Sequence, residues 1–147
     1  MSTATDRPTN RPGDHPSDRS AAGAAFGLSE IGQIAVNVQD LERATAFYRD
    51  SLGMQHLFSA PGMSFFDCGG VRLMLGVPTE PRFEHPSSIL YFQVDDIQAA
   101  HAAMAAKGVT FEREPALVAK LEKADLWLAF FQDGEGNVMA LMSEVTR

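Results

Sequence analysis

V-Q-D-L-E-R-A-T-A-F-Y-R-D-S-L-G, residues 38–53, decides the fold of this chain: it holds a strand end, a helix start and a helix stop, and its pattern returns later. Asp40 carries a carboxylate suited to accept the free N–H groups of a first helical turn. Leu41, Ala44, Phe47 and Leu52 form an apolar helical stripe, and Gly53 supplies the stop. Before it, Ile34, Val36 and Val38 alternate with Gln33, Ala35 and Asn37, a strand's period of two. After it, residues 54–58 read as a strand. Residues 64–67 and 71–75 read as a hairpin turning at Gly69-Gly70.

The pattern recurs at a constant spacing of 56 residues: Val94, Asp96, Ile97, Ala100 and Ala102 match Val38, Asp40, Leu41, Ala44 and Ala46. Leu90, Phe92 and Val94 alternate as a strand, Ile97, Ala100 and Met104 make the stripe, and Gly108 ends the helix. Residues 109–111 read as a strand, and 127–132 with 137–142 as a second hairpin around Asp133-Gly134-Glu135-Gly136. Phe65-Phe66 match Phe130-Phe131, and Leu73 and Leu75 match Met139 and Leu141. Each repeat reads βαβββ, which predicts an α+β fold of two tandem units. One unit alone would leave a sheet face bare.

The predicted organisation is a tail over 1–27 and one domain over 28–147, with units at 29–76 and 89–145 and a linker at 77–88. The tail has Pro8, Pro12 and Pro16 and no apolar period, so it is expected to be disordered. Pro78, Pro81 and Pro86 mark the linker.

Apolar residues make up 45% of the 147-residue chain, enough for a core, and the net charge is −7. The tail's three arginines balance its three aspartates, so the acidity belongs to 28–147. An acidic surface repels phosphate backbones and anionic lipid, so nucleic acid and membranes are excluded as partners. No apolar run reaches a membrane span, and the N-terminus lacks a signal core. Cys68 is the only cysteine, so no intrachain disulfide can form. A cytoplasmic location is expected.

The doubled βαβββ pattern, the V-x-D-L-x-x-A-x-x-F-Y-x-x-x-L-G segment at 38–53 and the closing D-x-x-G-N-x-x-x-L segment at 133–141 resemble the vicinal-oxygen-chelate superfamily, the glyoxalase, bleomycin-resistance and extradiol-dioxygenase group. The resemblance covers about residues 30–145. It implies curled mixed sheets around a cavity, helices outside, and a homodimer whose cavities draw on both subunits. In metal-dependent members, one ligand stands on the first and last strand of each unit. Those positions fall here on Gln33, Met74, Ile89 (or Ser88) and Ala140. Only Gln33 brings a suitable donor, so no metal and no other cofactor is expected.

Strand parity with Gln33 turned inward also turns Asn37, Arg72, Met74, Tyr91, Gln93, Ala140 and Met142 inward. Trp127 and Phe131 are assigned to the same inner face. The predicted ligand-binding set is Gln33, Asn37, Met74, Gln93, Trp127, Phe131, Ala140 and Met142. Catalytic candidates are His56, Tyr91 and Arg72, with the face of His56 left open by the pattern. Glu84 and His85 read as a solvated turn before Pro86, and His101 as helix packing. No Ser-His-Asp or Cys-His constellation is visible, and Cys68 reads as structural. The implied functions are binding or sequestration of a small, largely apolar or aromatic molecule, metal-independent catalysis, or a metal-dependent lyase, isomerase or ring-cleaving dioxygenase with displaced ligands.

Overall fold

Alternating apolar residues build two mixed sheets, seen in a computed structural model that describes residues 26–147. The first repeat gives β1 (Gln33–Asn37), α1 (Leu41–Ala46), β2 (Gln55–Ala60), β3 (Met63–Cys68) and β4 (Val71–Gly76). A wide π-helical turn, Phe47–Ser51, extends α1. The strand order is β1-β4-β3-β2, with β1 parallel to β4 and the rest antiparallel. Gly69 and Gly70 both take positive φ, the requirement of the tight β3–β4 turn.

The second repeat gives β5 (Leu90–Gln93), α2 (Ile97–Ala106), β6 (Thr110–Phe111), β7 (Ala116–Lys120), β8 (Ala124–Gln132) and β9 (Val138–Thr146). The order is β5-β9-β8, with β6 and β7 both on the far edge of β8. β7 was not foreseen. It continues the edge that β6 begins, after an interruption at 112–115 that includes Pro115, which has no N–H to give a ladder. The caps match expectation: the side chains of Asp40 and Asp96 accept from the N–H groups of Arg43 and Ala99.

Gly32–Arg147 form one compact unit. Its core draws on both sheets and both helices: Val36, Leu73, Leu75, Tyr48, Met139 and Phe131 are each at most 1% exposed. The predicted disordered tail lies outside the described residues except for Phe26 and Gly27.

A polar seam joins the repeats. The buried Asp133 carboxylate accepts from the Tyr48 hydroxyl at 2.7 Å, from Asn137 Nδ2 at 2.8 Å, and from the N–H groups of Glu135 and Asn137. Burial, then the carboxylate charge, push the Tyr48 hydroxyl well above its ordinary range, so it stays a donor. Asn137 also donates to Asn37 O at 2.9 Å. Glu135 accepts from Gln39 N at 2.6 Å and pairs with Arg43 at 2.5 Å, fastening the start of α1 to the second repeat.

Candidate functional site

Cross-strand register sorts every strand residue onto one of two faces. Ile34, Leu73 and Phe66 align on the face that packs on the helices, as do Val36, Leu75 and Ser64. Gln33, Arg72 and Asp67 align on the opposite face, as do Ala35, Met74 and Phe65, and Asn37, Gly76 and Met63. This cup face is where the expected ligand positions Gln33, Asn37, Arg72 and Met74 lie. In the second repeat, Tyr91, Ala140 and Phe130 align on the cup face, with Gln93 and Met142 in the same parity.

Two assignments are corrected. Trp127 and Phe131 do not face the cup. Phe131 aligns with Met139 and is 1% exposed, and its ring meets Phe92 and Phe111 in the core. Trp127 aligns with Ser143 and packs on that same core. The loop from Asp133 to Asn137 pairs Gln132 with Val138, so even positions face even positions and the cup receives Leu128 and Phe130 instead.

His56 is also on the helix-packed face. Its ring lies 5.2 Å from that of Phe66, and Nε2 is 2.9 Å from Ser59 Oγ, a Ser–His contact that spacing did not reveal. A bulge at Leu57 separates its parity from that of Phe58, which stacks on Phe65 at 4.5 Å on the cup side. The three catalytic candidates therefore do not meet: His56 faces the helices, Arg72 lies on the first cup face and Tyr91 on the second.

Metal chemistry can be tested on the donor set. Arg72 Nε donates to Gln33 Oε1 at 2.8 Å, and its guanidinium lies 5.2 Å above the Phe65 ring. The one suitable oxygen of the four expected positions is thus held by a cation, and a divalent ion there would meet its repulsion. Met74 beside it offers only a thioether, which accepts from Gln33 Nε2 at 3.8 Å. Ala140 and Ile89 offer no donor. Among the described residues no group of three or more His, Cys, Asp or Glu could hold an ion. These residues do not fit the metal centre.

What the first cup face does hold is a cavity of about 370 Å³, floored by Ala35, Asn37, Met74 and Gly76 and roofed by the linker. Asn37 pins that roof. Its Nδ2 donates to Phe83 O at 2.6 Å and His85 O at 2.8 Å, while its backbone N–H donates to Ser87 Oγ at 3.0 Å. Phe83 ends a 3-10 turn, Pro81–Phe83, that Pro81 opens. His85 is exposed in the turn before Pro86, as expected, and also lines the cavity. The sequence signal for this was faint: a linker stiffened by three prolines ahead of a strand, with an asparagine ending the neighbouring strand. Gly76 leaves the floor open, since a Cβ there would meet Met74 Cε at 3.3 Å. Cys68 lines a smaller cavity of about 160 Å³ between β4 and β5, and burial pushes its thiol up, away from nucleophilic character.

The description "Glyoxalase/Bleomycin resistance protein/Dioxygenase superfamily" matches residues 30–141. No curated protein matches the chain. Among solved structures, a lactoylglutathione lyase from Agrobacterium tumefaciens is 24% identical, with 80% of this chain and 95% of that chain covered at a TM-score of 0.67. An antibiotic binding protein from Streptomyces sp. CB03234 is 25% identical, with 82% and 99% covered at 0.64. A superfamily protein from Nocardioides is 20% identical, with 88% and 92% covered at 0.65.

Proposed function

The chain belongs to the glyoxalase/bleomycin resistance protein/dioxygenase superfamily, and from that premise we propose that it binds a small, largely apolar or aromatic molecule without the metal centre. The observation that carries this reading is the cavity of about 370 Å³ on the first cup face, within the ~300–1,000 Å³ range of small-molecule sites and lined by Met63, Met74, Val77 and Phe83. Methionines there adapt to flat or irregular ligands. The Streptomyces neighbour is described as antibiotic binding, which favours sequestration over turnover. Arg72 and Tyr91 are the two catalytic candidates that lie on the cup faces.

The working form is a homodimer. Both cup faces expose apolar surface, with Phe58 at 47% and Tyr91 and Ile89 at 48%, and a second copy would cover it. Sedimentation should give about twice the 16.0 kDa chain mass, and a concentration-independent monomer mass would overturn this. For the metal-free reading, protein purified without a metal column should carry well under one equivalent of Zn²⁺, Ni²⁺, Mn²⁺ or Fe²⁺, and chelator should leave its melting temperature unchanged. Stoichiometric metal would overturn it and favour a lyase, isomerase or dioxygenase. We propose that the protein acts in the cytoplasm. Among the described residues no helix is long and apolar enough to cross a membrane.

A further inference from the structure

Two side chains that line the cavity, Asn37 and His85, keep acceptor atoms. Asn37 has spent both Nδ2 hydrogens on the carbonyls of Phe83 and His85, and two carbonyl partners fix which end of the amide is nitrogen. Its Oδ1 remains, and it can only accept. His85 Nδ1 lies 3.0 Å from Pro86 O. A carbonyl cannot donate, so Nδ1 carries a proton, and in the uncharged tautomer that meets this contact Nε2 keeps a lone pair. Ser87 Oγ accepts from Asn37 N and keeps its own O–H to donate, and Thr79 adds a hydroxyl that serves either way. Among the described residues the lining contains no Lys, Arg, Asp or Glu.

Resting on the small-molecule reading above, we infer that this cavity selects an uncharged ligand whose apolar body carries a hydrogen-bond donor, such as a phenol or alcohol O–H, taken by Asn37 Oδ1 or His85 Nε2. A carboxylate would bring its lone pairs to those acceptors and find hydroxyls but no lysine or arginine to pair with. An ether of the same shape would leave the acceptors unsatisfied once water is displaced.

Three probes of one ring system test this on the intact protein: 1-naphthol, 1-methoxynaphthalene and 1-naphthoate, measured by calorimetric titration. Naphthol should bind about tenfold more tightly than the ether, the worth of one net hydrogen bond, and naphthoate should bind weakest. His85→Phe keeps a ring and the backbone carbonyl that Asn37 holds, and should shrink the ratio of naphthol to ether affinity. Equal binding of naphthol and ether, or tightest binding of naphthoate, would overturn the donor preference. A full naphthol advantage in His85→Phe would overturn the part given to His85. Failure of all three probes to bind would instead overturn the cavity reading itself.

Discussion

The two faces of the same strands are built to different ends. On the helix side, Leu73 and Leu75 of β4 are closed over by α1 and by core residues of both repeats. On the cup side, Arg72 is exposed and Met74 half-buried, and Gly76 floors a cavity. One residue's step along the chain changes the environment completely. On β4 burial is thereby concentrated on the helix side, and the cavity lies on the other.

Truncating neighbours on β4 in turn separates the two faces. Leu75→Ala should cost about 2–5 kcal/mol in denaturant unfolding, through lost burial and a cavity, while the folded fraction keeps its ligand affinity. Met74→Ala should cost under ~1 kcal/mol and change affinity instead. Equal stability losses would show that the cup face is core as well.

The seam sharpens it further. Tyr48→Phe should cost about 1–2 kcal/mol, since Asp133 loses one of its donors inside a dry site. Wild-type and variant melting curves would show it, and an unchanged midpoint would mean that water replaces the hydroxyl.

The smallest effect is the pH dependence of Glu135. Burial alone would raise its carboxyl, but the N–H groups of Gln39 and Asp40 and the Arg43 guanidinium outweigh that and hold it below the usual range. A depressed folded value means that the unfolded chain binds the proton more readily. The stabilisation is therefore whole above the ordinary glutamate range and lost as pH falls through it toward the folded value. Glu135→Gln should flatten that part of the stability profile relative to wild type. A variant profile parallel to wild type would contradict it.

Most of the fold was legible because caps, periods and glycine turns are local. Asp40 and Asp96 announce helix starts through their own side chains, and Gly69-Gly70 announces a turn through backbone freedom. Face assignments carried along an uninterrupted strand also agree with the register, as for Gln33, Asn37, Arg72 and Met74. They failed where an odd residue intervened. The bulge at Leu57 and the length of the Asp133–Asn137 loop each shift parity by one, and no local signal counts that residue. His56, Trp127 and Phe131 were misjudged or left open for that reason.

The doubled βαβββ architecture and the poverty of donors at the expected metal positions could be read from residue order, because both rest on residue type at fixed spacing. Tertiary structure alone decided that the linker roofs the cavity, that Asn37 spends its hydrogens holding that roof, and that a guanidinium holds the one oxygen a metal could use. Those facts join residues 39 to 48 positions apart in the chain. Hydrogen bonds between such distant groups exist only once the sheet and the linker have brought their atoms within 3 Å of each other.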